Sequence, residues 1–117
     1  MAQKTSQQLL FMWHKAMTDG VHGAEPDLTM RQICIILSVY LYPAKDHTVR
    51  GLAAELKVTK PVITRALDTL GKMGLLKRKC DERDKRSVLV QRTVKGSVYL
   101  SELSDRIFKA ADGVTDI

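Results

Sequence analysis

The sequence predicts a mainly α fold with a small β-hairpin wing (α+β), and three observations carry that expectation. Apolar residues recur at three- and four-residue steps over most of the chain, two short β-type runs occur close together late in it, and turn signals separate the elements at short intervals. With 117 residues, 44% hydrophobic and 27% charged, the chain lies in the globular range and is read as one domain, 1–117, whose core needs no metal or disulfide. Its longest apolar stretch, Ile33 to Tyr42, is about half of what a bilayer span requires, so neither a membrane segment nor a secretory leader is expected. Cys34 and Cys80 stand in unlike surroundings, which argues against a disulfide and for a reducing, cytoplasmic setting.

From Thr5 to Thr18, Leu9, Met12, Trp13, Ala16 and Met17 mark an amphipathic helix that Asp19-Gly20 should stop, with a loop over 21–27. Thr29 and Gln32 have the spacing of a capping box, and Ile33, Ile36, Leu37, Tyr40 and Leu41 make the following helix apolar on most sides and therefore buried, up to Pro43. After a polar turn over 44–47, Thr48 caps a short helix whose inward residues are Val49, Leu52, Ala53 and Leu56, and Lys57-Val58 turns the chain. Thr59 is positioned to cap the next helix, 59–73. Pro61 falls in its first turn, where a missing N–H costs little. On that helix Ile63, Ala66, Leu67, Leu70 and Met73 share one side while Lys60, Thr64, Arg65, Asp68 and Lys72 share the other, and Gly74 supplies a left-handed cap. Strand-like runs over 75–80 and 87–92 enclose the charged tip Asp81-Glu82-Arg83-Asp84-Lys85-Arg86, which should project into solvent. From Thr93 the chain turns helical again, with Val94, Val98, Leu100, Leu103, Ile107, Ala110 and Ala111 as its apolar side.

The net charge of +6 is unevenly placed. Between Arg50 and Arg92 there are twelve basic residues against five acidic ones, whereas the remainder of the chain is close to neutral. A positive field confined to one contiguous third of a small domain fits a phosphate-binding surface better than a merely solvated face. Helix, short helix, turn, helix and charged hairpin is the order of a winged helix-turn-helix over 48–92. In that arrangement the second helix can enter a major groove while the hairpin reaches the neighbouring minor groove or backbone. Lys60, Thr64 and Arg65, with Thr59 and Pro61 at the start of the same helix, are the candidates for the first task, and Arg83, Lys85 and Arg86 for the second.

The runs Gly51-Leu52-Ala53-Ala54-Glu55-Leu56, Val58-Thr59-Lys60-Pro61-Val62-Ile63-Thr64-Arg65-Ala66-Leu67 and Gly74-Leu75-Leu76-Lys77-Arg78, and above all the Asp-x-Arg-Asp-x-Arg tip followed by a strand and Thr93-Val94-Lys95-Gly96, carry a specific likeness. Over about two-thirds of its length the chain resembles the MarR (multiple-antibiotic-resistance regulator) family of bacterial transcription factors, as a short member. The resemblance implies a homodimer on a pseudo-palindromic double-stranded DNA operator, with the helix from Thr59 in the major groove and Arg86 in the minor groove. It further implies that Asp84 supports the wing by bracing that arginine, and that the flanking helices 5–19 and 94–112 form the dimer interface. Two residues depart from the family pattern: Gly51 stands where a stronger helix former is usual, at a cost of up to about 1 kcal/mol, and Arg92 replaces an apolar residue before the threonine.

Plainer readings account for the remaining conspicuous residues. Cys80, beside Lys79 and Arg78, is read as an ordinary hairpin cysteine in an electropositive setting, with an oxidant-sensing role as the alternative, and Cys34 as a small core residue. His14, His22 and His47 lack partners at metal-ligand spacing, so neither a metal nor a cofactor is expected. Trp13, Met12 and Met17 are read as core or dimer interface in preference to an effector pocket. Since no nucleophile–base pair or phosphate-cradling glycine loop is visible, an enzyme is not expected. The competing class is a winged-helix module for protein–protein contact, against which the cations at Lys60, Arg65 and Arg86 weigh.

Overall fold

A computed structural model describes residues 3–23 and 25–113. In chain order these form α1 (Ser6–His22), α2 (Met30–Leu41), β1 (His47–Thr48), α3 (Val49–Leu56), α4 (Lys60–Lys72), β2 (Leu76–Cys80), β3 (Val88–Arg92) and α5 (Val94–Asp112). They fall into two compact units, one comprising the described residues of Met1–Asp27 and Tyr99–Ile117, the other Leu28–Val98.

In the first unit α1 opens on a capping box. The Thr5 hydroxyl accepts from the Gln8 N–H at 3.1 Å and the Gln8 side chain accepts from the Thr5 N–H at 2.8 Å. The helix does not stop at Asp19-Gly20 but runs on to His22, with Gly20 buried inside it. The reason is steric: a Cβ at Gly20 would lie 3.3 Å from the Arg106 guanidinium, so the glycine makes room for a side chain from α5 and does not break the helix. The apolar side of α5 also differs in part from the one expected. Leu103 and Ala110 are buried as expected, but Val94 and Val98 are exposed, and Tyr99 is buried with Arg106 half-buried on the same line. Arg106 Nη1 lies 3.6 Å from Glu25 Oε1. Burial, followed by a hydrogen bond and like charge from Glu102, pushes the Glu25 carboxyl above its usual range against the opposing pull of Arg106. Tyr99 is likewise pushed up, chiefly by burial.

The second unit is built on α2, whose capping box, Thr29 with Gln32, forms as expected. Only one side of α2 is buried, through Ile35, Ile36, Ser38 and Val39. Cys34 is exposed, a correction to its reading as a core residue: with Met30 and Leu41, also exposed, it occupies the opposite flank of the helix. Ile63, Leu67 and Leu70 of α4 and Leu52 of α3 complete the core, each stabilising by about 1.5–3 kcal/mol when fully buried. Thr48 caps α3 by accepting from Gly51 N–H at 2.9 Å, and a Cβ at Gly51 would crowd that hydroxyl at 3.1 Å, so the weak helix former spares the cap. Lys57 turns the chain in the left-handed region, at φ 57°.

The hairpin is part of a three-stranded antiparallel sheet of order β1-β3-β2. The short β1, expected as a turn, pairs His47 with Val90 and Thr48 with Leu89, so the wing is tied to the residues that start α3. Buried His47 contributes Nε2 to a hydrogen bond with the Tyr42 carbonyl at 2.9 Å. A further knot joins three segments. The Tyr40 hydroxyl accepts from Thr93 N–H at 3.1 Å and donates to the Leu75 carbonyl at 2.7 Å, while the Thr93 hydroxyl accepts from Gly96 N–H at 2.9 Å and donates to the Gly74 carbonyl at 2.7 Å. Gly96 is required there, since a Cβ would run into the Tyr40 hydroxyl and the Leu75 carbonyl. The Thr-x-x-Gly motif is thus an anchor for the start of α5. Helix α3, the Lys57 turn, α4 and the sheet make a winged helix-turn-helix.

Candidate nucleic-acid interface

The predicted site residues sit on α4 and the wing tip, and their local geometry follows from caps and turns. Thr59 occupies the N-cap of α4 with extended backbone, yet its side chain makes no capping hydrogen bond, contrary to expectation. Pro61 at the second helical position has no N–H to offer, and the Val62 N–H goes to the Thr59 carbonyl at 3.1 Å. The hydroxyl is therefore left at the exposed mouth of the helix, where the first-turn N–H groups carry partial positive charge. Lys60, Pro61, Thr64 and Arg65 are all exposed along α4, which is about 20 Å long at 1.5 Å per residue.

At the tip, acids and arginines alternate with different consequences for each arginine. Asp81 Oδ1 accepts from Arg83 N–H at 3.0 Å, and the Arg83 guanidinium is held by Asp46 Oδ2 at 3.1 Å and Asp81 Oδ1 at 3.6 Å. Arg83 is thus engaged within the protein, its tether to Asp46 linking the tip to the loop before β1. Asp84 Oδ1 accepts from Arg86 N–H at 3.1 Å and from Arg86 Nε at 3.4 Å, and the Asp84 carbonyl accepts from Ser87 N–H at 2.8 Å. This is an Asx turn that sets the direction of Arg86, whose side chain is 94% exposed. Lys85 is exposed beside it, its carbonyl accepting from the Cys80 thiol at 3.7 Å.

Lys60 and Thr64 from α4 and Asp84 and Arg86 from the wing meet in one groove of about 410 Å³, which Arg50 of α3 and Arg78 of β2 also line. Arg78 is neutralised there by Asp68 of α4 at 2.6 Å, whereas Lys60 and Arg50 form no ion pair among the described residues. The groove thus keeps a positive balance between helix and wing. Arg65, Arg83 and Lys85 lie outside it, as do Thr59 and Pro61. Sequence reading counted Arg50 among the basic residues but did not place it in the site, because only the fold brings the first turn of α3 against the wing.

Comparison with solved structures finds the same architecture repeatedly. Transcriptional regulator Tm0710 from Thermotoga maritima superposes with a TM-score of 0.71 at 20% identity, covering 93% of this chain and 70% of that one. The S. aureus MepR–DNA complex gives 0.70 at 25% identity over 86% and 78% of the two chains. The heme sensor protein PefR from Streptococcus agalactiae, in complex with heme, gives 0.73 at 16% identity over 98% and 82%. Comparison with curated proteins finds no match. The family model that matches, over residues 28–88, spans α2 through the first residue of β3 and so takes in both the helix-turn-helix and the wing tip; the chain belongs to the MarR family.

Proposed function

We propose that this protein is a sequence-specific, double-stranded-DNA-binding transcriptional regulator that acts as a homodimer. The observation that carries the reading is the groove in which Lys60 and Thr64 of α4 stand beside Arg86 of the wing with an uncompensated positive balance. In this reading α4 enters the major groove, with Arg65 and Thr64 facing base edges and Lys60 and the Thr59 hydroxyl on phosphates, while Arg86 reaches the adjacent minor groove. The MepR neighbour, whose structure is a complex with DNA, is in keeping with it. Lys85 serves as a phosphate contact, and Arg83, held by two acids, supports the wing and only secondarily meets phosphate.

Dimerisation is supported by the apolar surface of the first unit. Leu9, Leu10, Phe11, Trp13 and Val21 of α1 and Phe108 of α5 are exposed, more large side chains than a monomer usually leaves in water. A salt titration against duplex DNA tests the reading. With three or four phosphates neutralised per protomer, log K should fall against log salt with a slope of roughly −5 to −7, and protected half-sites should lie about 34 Å apart. A slope near zero, or no binding at low salt, would refute it.

A further inference from the structure

We propose that Asp68 and Asp46 limit how tightly this protein holds DNA of any sequence, by keeping Arg78 and Arg83 from phosphate. The inference rests on the DNA-binding reading and concerns the same surface. Arg50 and Arg65 form no ion pair among the described residues, whereas Arg78 and Arg83 are each held by an acid from another segment. Arg78 Nη2 donates to Asp68 Oδ1 at 2.6 Å, a charge-assisted bond from β2 to α4 made at the groove that Lys60, Thr64 and Arg86 also line. Asp68 is exposed one turn beyond Thr64, on the side of α4 that meets DNA in this reading. Arg83 Nη2 donates to Asp46 Oδ2 at 3.1 Å, so an arginine of the tip is drawn back to the loop before β1.

The other acids of the tip differ in kind. Asp81 and Asp84 accept from the backbone N–H groups of Arg83 and Arg86 and so shape the turn, while Asp68 and Asp46 accept from guanidinium groups alone. Losing either of the latter two carboxylates leaves no turn unmade. What changes is a competition: exposed ion pairs are weak, so carboxylate and phosphate contend for each guanidinium on nearly even terms, and loss of the acid tips the contest to phosphate. Phosphate contacts carry no sequence information and supply nearly all of non-specific affinity. Arginines withheld from them therefore lower the sequence-independent part of binding, and Asp68→Asn should act with the opposite sign to Asp84→Ala, which unmakes a turn.

Fluorescence anisotropy of a random-sequence duplex titrated with the full chain, repeated over a range of salt, tests the proposal. Asp68→Asn, which keeps the shape and gives up the charge, should bind at least about threefold tighter than the wild type at moderate salt, with a log K against log salt slope steeper by about 0.9 for each protomer engaged. Asp46→Asn should gain less, about twofold, because Asp81 Oδ1 still lies 3.6 Å from Arg83 Nε. The Asp68→Asn/Arg78→Gln variant should return to within about twofold of the wild type with the wild-type slope, since the gain belongs to the released guanidinium. Asp105→Asn makes the same change in net charge at an exposed position of α5 and should leave affinity and slope unaltered. The proposal is overturned if either single variant at Asp68 or Asp46 binds no tighter than the wild type, if Asp105→Asn matches Asp68→Asn, or if the gain survives the loss of Arg78; each of these leaves the DNA-binding reading standing. Absence of wild-type binding at low salt would refute that reading, and this proposal with it.

Discussion

Replacing Asp84 by alanine removes an acid from a surface proposed to meet phosphate, and simple electrostatics predicts tighter DNA binding. The geometry predicts weaker binding. A carboxylate about 8 Å from a phosphate repels it by roughly 0.5 kcal/mol in water, and screening at physiological salt leaves about a third of that. Against this stands the Asx turn, in which Asp84 Oδ1 accepts from Arg86 N–H at 3.1 Å, a hydrogen bond with a net value of about 0.5–1.5 kcal/mol. The ion pair to Arg86 Nε at 3.4 Å adds little, because that side chain is 94% exposed. Without the turn, binding must also order the tip, at a further cost of up to about 1 kcal/mol. The balance, about 0.3–2.3 kcal/mol, is roughly a two- to fiftyfold loss of affinity for Asp84→Ala. Asp84→Asn retains an oxygen for the Arg86 N–H and should lose no more than about twofold, since only the weaker ion pair goes. Fluorescence anisotropy on a duplex selected from a random pool would measure both. Tighter binding by Asp84→Ala would refute the bracing role, and equal losses in the two variants would place the effect on charge and not on the turn.

Other substitutions probe different parts of the molecule. Arg65→Ala should cost about 1–3 kcal/mol on the same duplex and relax preference at one base position, read by repeating the selection with the variant. Tyr40→Phe leaves the Thr93 N–H and the Leu75 carbonyl without their partner and should lower stability by about 2–3 kcal/mol, seen as a fall in urea midpoint at unchanged m; a loss below about 0.5 kcal/mol would show that water replaces the phenol. Leu10→Glu combined with Phe108→Glu, both sites 70% exposed, should give a folded monomer by sedimentation, whereas Leu103→Glu, buried within its own unit, should unfold it. The Glu25 carboxyl is raised in the folded state above its ordinary 4.5, so the native protein binds the extra proton and stability falls as pH rises from about 4.5 through the raised value. Glu25→Gln should remove that decline in urea midpoints measured from pH 4 to 7.

Where an element is set by its own residues, the sequence was enough to find it. The Thr29–Gln32 capping box, the Thr48 cap, Pro61 in the first turn of α4 and Gly74 with φ 76° each mark a boundary by a hydrogen bond or dihedral that involves only near neighbours. What escaped was decided by partners distant in the chain. Gly20 looks like a stop signal until Arg106 occupies the space beside it, and β1 is too short to show any period of two. In α5, Leu103 and Ala110 are buried as expected, but Val94 and Val98 are exposed and Tyr99, which the apolar pattern passed over, is buried in their place. The candidate site was legible in its residue types and its two halves. Its inner balance was not, because Arg83 finds Asp46 across 37 positions and Arg78 finds Asp68 across 10.

The knot around Tyr40 bears on how this sequence can drift. A single phenol oxygen serves backbone groups from two other segments, and it can approach them only because residue 96 has no side chain. Alanine at 96 forces the ring out, while a shorter side chain at 40 strands the amide of residue 93 and opens room that glycine cannot fill. Each change alone is damaging, and a smaller residue 40 relieves only the clash with the ring, because a Cβ at 96 still meets the Leu75 carbonyl; glycine at 96 should persist even where residue 40 changes. A double-mutant cycle on positions 40 and 96 would therefore show a coupling energy well above the few tenths of a kcal/mol typical of separated sites.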